Sequence, residues 1–504
     1  MNISKPNKVI KMKNSVQMCL YRHSFLFASL FIYLLFYVFL FVQAPMLFSQ
    51  PLTTNTPISY DETHSGTIAS PIDVVTYNLN GISGENILVR VVVTSGNLDP
   101  EFRLFRPNGN LLCDGRTLGS FVERSCIIDA NGNHTLLVNA WGGSTTGNFN
   151  IYLQRTTRPV NQINLPFDET QSDSITSLVE LKAHTFTAAP RFVPAPPPSS
   201  DIKVYLPFVT GGGSVEFSDN VLVRMKATSG SLDPQFRVYR PDGSLLCSGQ
   251  TLGSFVETLC QVDRSGDHAI LAGAWNANAT GSYDLYIQST SYPANPTPIA
   301  YDETQSTAIS PAVDLHAFTF DGTAGDPVLI RLQGTSGAID PQFRVYRPNG
   351  TLLCNAQTVG SFVETTCTID ATGVHTILTG AWNANATGNL DLYIQSTNNP
   401  ANPTPIAYDE VQSGGISPAI DLNAYTFSES SGTQLLIRMD VTSGALDPQI
   451  RVYRSNGSLL CSGQSLGSFV EISCLLDATG GHTILVGAWN ANATGNYNLL
   501  LTQQ

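Results

Sequence analysis

Lysine is nearly missing from this 504-residue chain once its first 50 residues are set aside, because only Lys182, Lys203 and Lys226 remain. Those first 50 residues hold five of the 26 basic residues and none of the 39 acidic ones, so the rest carries a net charge of −18. A surface with this charge repels the phosphate backbone and attracts divalent cations or basic partners. We therefore expect no nucleic-acid partner.

Three further absences narrow the class of protein. The sequence has no amphipathic helix of useful length, which excludes a helical bundle. It has no CxxC motif, which argues against a zinc site. No repeated segment joins a nucleophile to a base and an orienting group, and the Gly-Ser-Phe-Val-Glu segments starting at 119, 253, 360 and 467 are not nucleophile elbows. We therefore expect a protein that is not an enzyme.

One long pattern, by contrast, occurs four times. It runs from Leu/Ile-Asp-Pro through Phe/Ile-Arg and an Asn/Asp-Gly turn to Leu-Leu-Cys, and a second cysteine follows twelve residues later. The first cysteines are Cys113, Cys247, Cys354 and Cys461, so the intervals are 134, 107 and 107 residues. A unit of this size is a whole domain. The second copy contains an insertion of 27 residues, rich in proline around 191–213.

The repeat divides the chain into a leader and four modules. We place the leader at 1–50 and the modules at 57–155, 162–289, 297–396 and 404–504. Short proline-containing stretches, such as 292–298 and 399–405, separate the copies. Linkers of this kind predict neighbouring modules that are spaced but not merged.

Secondary structure is predicted to be β throughout. Short runs rich in Val, Ile, Thr, Phe and Tyr alternate with Gly, Pro, Asn and Asp at close intervals. Each module then holds about eight short strands. The predicted fold class is all-β, with four tandem jelly-roll-like β-sandwich modules after an N-terminal hydrophobic leader.

The leader contains an uncharged apolar run at 25–42, preceded by five basic residues. Eighteen such residues just span a bilayer core, and the basic flank favours the cytoplasmic side. A cleaved signal peptide and an uncleaved signal anchor are both open. Either one places the modules outside the cytoplasm, extracellular or at the cell surface, and the membrane is contacted only through this segment.

Eight of the nine cysteines agree with an exported protein. They form four pairs at one spacing, and we expect the disulfides Cys113–Cys126, Cys247–Cys260, Cys354–Cys367 and Cys461–Cys474. Closing a loop of this length stabilises a module by roughly 3 kcal/mol in the chain-entropy model.

Each module resembles the bacterial pre-peptidase C-terminal domain. The residues that carry the resemblance in copy three are 313–320, the strand and turn from Ile339 to Gly350, 371–375 before an apolar strand, and the closing 387–392. The family is a jelly-roll β-sandwich related to the collagen-binding domain of secreted collagenases. No protease sequence precedes the modules here, and the cysteine pair is an addition to the family pattern.

The resemblance implies possible calcium binding through acids near each module start and before an early strand. Calcium prefers several carboxylate and carbonyl oxygens. The corresponding residues are Asp61, Glu62 and Asp73; Asp168, Glu169 and Glu180; Asp302, Glu303 and Asp314; Asp409, Glu410 and Asp421. The alternative is that these acids cap turns and keep strand edges soluble.

Two other repeated features are candidates for contacts. Trp141, Trp275, Trp382 and Trp489 stand on loops beside amide side chains, and such a loop suits a sugar or a peptide. The alternative is a tryptophan of the core or rim followed by an Asn-rich turn. Glu123 and its repeats lie in strands close to arginines such as Arg237, which predicts cross-strand ion pairs.

Three functions therefore stay open. The first is a non-catalytic exported or cell-surface protein that binds an extracellular polymer or protein, in a calcium-dependent or calcium-independent manner. The second is a passive stalk or envelope component. The third is an accessory or targeting segment for a separate secreted hydrolase.

Overall fold

Short apolar segments bounded by glycine, proline and asparagine form strands in all parts of the chain that the computed structural model describes. Those parts are residues 55–189, 191–192, 215–216 and 219–504. They form four repeated units of two packed sheets each, so the all-β prediction is confirmed. The predicted leader lies outside the described residues. No helix within them is long and apolar enough to cross a membrane.

Modules 1 and 2 contain the first twenty strands. Module 1 has β1 (Thr56–Pro57), β2 (Glu62–Ile68), β3 (Val74–Gly81), β4 (Asn86–Gly96), β5 (Pro100–Phe105), β6 (Leu111–Arg116), β7 (Phe121–Ile127), β8 (Gly132–Ala140) and β9 (Gly147–Arg155). Module 2 has β10 (Ile163–Asn164), β11 (Thr170–Ile175), β12 (Leu181–Ala188), β13 (Arg191–Phe192), β14 (Val215–Glu216), β15 (Asp219–Ala227), β16 (Pro234–Tyr239), β17 (Leu245–Gln250), β18 (Phe255–Val262), β19 (Gly266–Ala274) and β20 (Gly281–Ser289).

Modules 3 and 4 repeat the nine strands of module 1. Module 3 has β21 (Thr297–Pro298), β22 (Glu303–Ile309), β23 (Leu315–Gly322), β24 (Pro327–Gly334), β25 (Pro341–Tyr346), β26 (Leu352–Gln357), β27 (Phe362–Thr368), β28 (Gly373–Ala381) and β29 (Gly388–Ser396). Module 4 has β30 (Thr404–Pro405), β31 (Val411–Ile416), β32 (Leu422–Glu429), β33 (Gln434–Gly444), β34 (Pro448–Tyr453), β35 (Leu459–Gln464), β36 (Phe469–Leu475), β37 (Gly480–Ala488) and β38 (Gly495–Gln503).

Every module has the same two sheets. In module 1 a five-stranded sheet, here called the front sheet, has the order β1-β3-β8-β5-β6, and a four-stranded back sheet has the order β2-β9-β4-β7. Most of the predicted insertion in module 2 lies outside the described residues. Within it, β13 and β14 pair antiparallel, with Arg191 opposite Glu216.

The four predicted cysteine pairs form disulfides. Cys113 lies on β6 at the edge of the front sheet, and Cys126 lies on β7 at the edge of the back sheet. Their Cα atoms are 6.1 Å apart. Each disulfide therefore ties the two sheets of a module together at one edge.

Each module has its own core between its sheets, and three more apolar clusters lie between modules. Between modules 1 and 2, Leu88 and Tyr152 of the back sheet pack on Leu181, Tyr239 and Leu271 of the next front sheet. The modules are not merged, as predicted, because each has its own core, but the predicted spacing between them is wrong because their sheets pack together. The reason is that both faces of strands such as β4 are apolar, so the outer face also has to be covered.

Candidate functional site

The loop between the two disulfide-bonded strands carries an exposed aliphatic side chain in every module. We call residues 117–120, 251–254, 358–361 and 465–468 the tip loops. Their apolar residues are Leu118, Leu252, Val359 and Leu466, which are 76%, 73%, 77% and 76% exposed. A single exposed leucine needs no explanation, but the same exposure in four copies marks a repeated surface feature.

A hydrogen bond from the glycine amide holds the backbone of each tip loop. The Gly119 amide donates to Thr117 Oγ1 at 3.2 Å, and Gly253 and Gly467 donate in the same way to Thr251 and Ser465. This is a turn that a hydroxyl side chain stabilises. In module 3 the Gly360 amide donates instead to Asp340 Oδ1 at 3.1 Å. The exposed aliphatic side chain is thus presented by an ordered loop.

The predicted tryptophans lie on a second loop, here called the tryptophan loop (residues 141–146, 275–280, 382–387 and 489–494). All four indole rings are half-buried, and the asparagines beside Trp275, Trp382 and Trp489 are exposed. Both the contact prediction and the rim alternative are compatible with these positions. Neither is decided by burial alone.

The tryptophan loop has unusual backbone geometry. Asn276 and Ala277 both have φ of +51°, a left-handed conformation that costs free energy for alanine. The Ala277 side chain is buried against module 1, in the cluster with Leu88. In module 1 the loop contains Gly142 and Gly143, which adopt positive φ without this cost. The alanine therefore serves the contact between modules.

The repeated Asp-Pro dipeptide holds the two loops side by side. In module 2 the carbonyl of Asp233 accepts a hydrogen bond from the Trp275 amide at 2.8 Å, and the carbonyl of Pro234 accepts one from Thr251 at 3.3 Å. The same two bonds occur in the other three modules. Asn385 Nδ2 of the tryptophan loop also donates to Asp340 Oδ2 at 3.0 Å. Each tip loop therefore has a tryptophan loop as its neighbour.

Each tryptophan loop after the first also contacts the preceding module. Trp382–Ala384 lies against β18, which begins directly after the tip loop of module 2, and Trp489–Ala491 lies against β27 in the same way. Gln333 Nε2 donates to the Ala491 carbonyl at 2.7 Å. Tip loops and tryptophan loops thus alternate along the array. We call this arrangement the loop row.

A buried arginine joins each back sheet to the next front sheet. Arg90, Arg224 and Arg331 have fully buried side chains, and each Nε lies 3.0 Å from its cross-strand partner, Glu123, Glu257 or Glu364. Arg90 Nη1 donates to the carbonyls of Val179 and Glu180 at 2.7 and 3.1 Å. Burial lowers the pKa of Arg90 to about 10, and Glu123 opposes this shift.

The predicted ion pairing of these glutamates is present, but their cross-strand partner is the buried arginine of the back sheet, which was not predicted. Arg237 binds Glu123 of the preceding module at 2.7 Å, whereas Glu257 of its own module binds Arg224. The same pairing joins Glu257 to Arg344 and Glu364 to Arg451. The glutamate is thus shared between two arginines across the interface between modules.

Three of the four aspartates that begin the predicted calcium ligand sets lie at these interfaces. Asp61 Oδ1 accepts from the Tyr152 hydroxyl at 2.6 Å, and Asp61 Oδ2 accepts from Asn161 in the linker at 2.7 Å. The same hydroxyl lies 2.8 Å from the carbonyl of Leu181 in module 2. Asp168 and Asp302 have equivalent contacts with Tyr286 and Tyr393. All four aspartates, including Asp409, have a left-handed backbone conformation, with φ of +63° at Asp61, +65° at Asp168, +66° at Asp302 and +61° at Asp409.

The glutamates that follow these aspartates lie nearer the surface. Glu62 Oε1 is 3.3 Å from His64, and Glu303 Oε2 accepts from the Ala300 amide at 2.8 Å. Glu169 and Glu410 are exposed. The bonds of Glu62 and Glu303 are short-range contacts of the kind that the turn-capping alternative predicts.

The acids before the early strand have two different environments. Asp73 accepts from the amides of Ala69 and Ser70 at 3.0 and 2.7 Å, so it caps its own turn. Glu180 accepts from the Thr176 amide at 2.8 Å and pairs with Lys182 at 2.6 Å. Burial would raise the pKa of Glu180, but the bonds from Lys182 and Thr176 lower it.

Asp314 and Asp421, in contrast, face the preceding module. Asp314 accepts from the Thr170 hydroxyl of module 2, and Asp421 accepts from the Thr304 hydroxyl of module 3. Burial raises the pKa of Asp314, and the negative charge of Asp168 adds to this effect. The structure thus brings Asp314 near the aspartate of the module before it.

Among the described residues, no group of three or more His, Cys, Asp or Glu side chains is arranged to hold a metal ion. Most of the acids named above form hydrogen bonds in turns or at the interfaces between modules. Calcium binding stays a prediction.

Sequence reasoning missed the tip loops and the interface arginine, although each had a signal. The runs Val-Leu-Val-Arg in module 2 and Val-Leu-Ile-Arg in module 3 lack the alternation of a strand with one exposed face. Such runs are typical of strands that are buried on both faces. The exposed aliphatic residue had a weaker signal, namely its place between a hydroxyl residue and a glycine.

The described chain is thus an array of tandem all-β sandwich modules with a repeated surface row, and its four disulfides fit an extracellular protein. No protein-family model and no curated protein matches the sequence.

Several solved structures are similar to it. The pre-peptidase C-terminal domain of collagenase from Bacillus anthracis is 18% identical with a TM-score of 0.18, and the match covers 20% of this chain and 93% of that one. Aeromonas hydrophila PliG, a periplasmic lysozyme inhibitor of g-type lysozyme, is 16% identical with a TM-score of 0.16, covering 20% and 96%. The M60 catalytic domain with two CBM51 domains from Clostridium perfringens ZmpB is 9% identical with a TM-score of 0.15, covering 88% and 55%. TM-scores this low carry no argument about the fold or the function of this chain.

Proposed function

We propose that this chain is an exported, surface-displayed array of pre-peptidase C-terminal-type modules that binds an extracellular polymer through the loop row and performs no chemistry of its own. The observation that carries the proposal is the exposed aliphatic side chain of the tip loop, which stands beside a tryptophan loop in all four modules. An aliphatic tip, a half-buried indole and exposed amides suit the apolar faces and polar edges of a sugar or peptide chain.

Repetition supports a polymer as the ligand. One tip loop offers only a small contact, so a single module binds weakly. Because the modules are packed against one another, the four contacts have a fixed spacing and lose little freedom when they bind together. Linked contacts of this kind raise avidity by roughly 10² to 10⁴ when the geometry fits.

A passive stalk is the second candidate, and the buried interfaces favour it. Fully buried arginines and shared apolar clusters between modules stiffen the array, which is what a spacer requires. The stalk needs no ligand, however, and gives no reason for an exposed aliphatic side chain at the same place in each module.

The experiment measures depletion of the full chain from solution by insoluble fibres. The probes are fibrillar collagen, cellulose and peptidoglycan, each with calcium and with a chelator. The test variant changes Leu118, Leu252, Val359 and Leu466 to Ser. The control changes four other exposed aliphatic residues to Ser, namely Ile82, Ile127, Val411 and Leu475, which are 58%, 64%, 55% and 57% exposed.

We expect saturable binding to one of the fibres, a loss of roughly tenfold or more in the tip-loop variant, and no loss in the control. Loss of binding in the chelator would support the calcium-dependent form of the proposal. If the unchanged chain binds none of the three fibres, or if both variants bind equally well, the stalk becomes the better account.

A further inference from the structure

Two faces of the array have the structure of an interface but no module against them among the described residues. We call the front sheet of module 1 and the back sheet of module 4 the outer faces. Ile72 on the first is 84% exposed, whereas Val179, Val313 and Ile420 at the same place in modules 2, 3 and 4 are 0% exposed. Among the described residues, nothing therefore covers Ile72 as the preceding module covers its equivalents in modules 2 to 4.

The outer face of module 4 keeps the groups that form the inner interfaces. Arg438 stands where modules 1 to 3 have their buried arginine, with Glu471 opposite it across the strands. The Phe469 ring lies 4.4 Å from the Arg438 guanidinium, as Phe255 and Phe362 lie near Arg224 and Arg331. Arg438 is, however, 38% exposed, in contrast to 0% for the inner arginines.

Each outer face also contains an acid that the equivalent inner positions lack. Glu101 of module 1 replaces a glutamine found in the other modules, at Gln235, Gln342 and Gln449. Its Oε2 lies 2.8 Å from Arg103, the arginine that in the other modules binds the glutamate of the preceding module. Arg103 is thus neutralised within its own module.

On module 4, Asp440 neutralises Arg438 in the same way. It replaces Val92, Lys226 and Gln333 of the other modules. Its carboxylate accepts hydrogen bonds from Arg438 Nε at 2.8 Å and from Nη2 at 2.7 Å. The arginine that would reach carbonyl groups of a following module is therefore held on its own strand.

These acids change the charge that an interface would bury. In an inner interface two arginines share one glutamate, for example Arg90, Arg237 and Glu123, beside interface acids such as Asp61. Joining the two outer faces would place Arg103, Arg438 and Glu471 together in the same way, but it would add Glu101 and Asp440, two acids that the inner interfaces lack at these positions. A buried excess of negative charge is strongly unfavourable.

We propose that the two outer faces keep the features of an inner interface, so that each would accept a second copy of this chain joined head to tail. We further propose that the charges of Glu101 and Asp440 prevent this contact. Heterologous contacts that do not close into a ring form open filaments. The two acids thus keep a displayed array from polymerising through the surfaces that hold its own modules together.

The test compares self-association by sedimentation velocity, using the full chain in a mild detergent that keeps the apolar leader dispersed. The variants are Glu101→Gln, Asp440→Gln and the two combined. A third change, Leu500→Tyr, adds the tyrosine that modules 1 to 3 have at this place, where its hydroxyl contacts the next module. The charge-matched control is Asp267→Asn with Asp321→Asn, two acids on the front sheets of modules 2 and 3.

We expect no concentration-dependent association in the unchanged chain or in the control. The combined variant should associate, and Leu500→Tyr should lower the dissociation constant further, by roughly tenfold. Adding Ile72→Asp to the combined variant should abolish association. The proposal is overturned if the unchanged chain associates as strongly as the combined variant, if neither the double nor the triple variant associates, or if Ile72→Asp has no effect.

Discussion

The inner and outer copies of one strand show how much the neighbouring module decides. In module 3, every residue from Pro327 to Leu332 on β24 is buried. On the equivalent β33 of module 4, burial alternates between half-buried and buried from Gln434 to Asp440. The sequences are similar, with Val-Leu-Ile-Arg in one and Leu-Leu-Ile-Arg in the other. The two strands differ because the front sheet of module 4 covers β24, whereas no described front sheet covers β33.

The arginine responds to the same difference. Burial lowers the pKa of Arg331 to about 10, with Glu364 opposing the shift. The pKa of Arg438 is raised instead, because Asp440 hydrogen-bonds to it at the surface. One side chain thus forms a buried ion pair at an inner interface and a solvated one on an outer face. The comparison predicts that equivalent substitutions have unequal effects.

The largest effect is expected from removing the buried arginine. Arg331→Ala leaves the half-buried Glu364 with one partner fewer and opens a cavity between modules 3 and 4, so it should destabilise that interface by about 3–5 kcal/mol. Arg438→Ala is the matched control and should change little, since Arg438 pairs in solvent. Hydrogen exchange of β24 and β33 amides in the full chain measures both. Equal losses at the two strands would contradict the comparison.

A smaller effect is expected from one hydroxyl group. Tyr286→Phe removes the group that lies 2.9 Å from both Asp168 Oδ1 and the Leu315 carbonyl, and should cost about 1–3 kcal/mol at the interface of modules 2 and 3. Tyr301→Phe is the control, because the Tyr301 hydroxyl has no hydrogen-bond partner within the described part of the chain. Calorimetric melting compares the two variants. A drop in Tm for Tyr301→Phe as large as for Tyr286→Phe would show that ring packing, not the hydroxyl, is responsible.

The smallest effect expected is a difference in pH dependence between the stabilising contributions of two acids, Asp314 and Glu180. The pKa of Asp314 is raised above 3.8 by burial, so its stabilising contribution is present below pH 3.8 and is lost as pH rises through the folded-state pKa. The pKa of Glu180 is lowered below 4.5, so its contribution is present above pH 4.5 and is lost as pH falls through the folded-state pKa. The contribution of Asp314, which contacts module 2, and that of Glu180, which is bonded within its own module, should therefore respond to acid in opposite directions.

The corresponding variants test the sign. Asp314→Asn should raise Tm at about pH 6, and the gain should vanish in acid, where the wild-type carboxyl is also neutral. Glu180→Gln should lower Tm at about pH 6, because the bond with Lys182 loses its charge, and this loss should also vanish in acid. Shifts of the same sign for the two variants would refute the difference between these two acids.

Much of the fold was predictable because its causes are local. The cysteine spacing predicted the four disulfides, and apolar runs between turn residues predicted the strands. The tryptophan loop was found from its composition. Its neighbour, the tip loop, was not, because the two loops meet through carbonyls of an Asp-Pro dipeptide that is distant in sequence from both.

The contacts between modules were not predictable in the same way. Short proline-containing linkers indicated spacing, whereas Arg90 donates to carbonyls 89 and 90 residues further along the chain. The sequence of a linker predicts the length and stiffness of the connection. It does not predict which sheet faces of the two modules come into contact.

The sequence by itself determined the repeat, the strands and the disulfides, since these depend on residue spacing and on the period-two alternation of a strand. Only the tertiary structure decided which sheet faces are buried between modules, which arginine is desolvated and which acid faces a neighbouring module. The physical reason is that desolvation depends on everything packed around a group. Arg331 and Arg438 occupy equivalent strands and differ because one is covered by a second sheet.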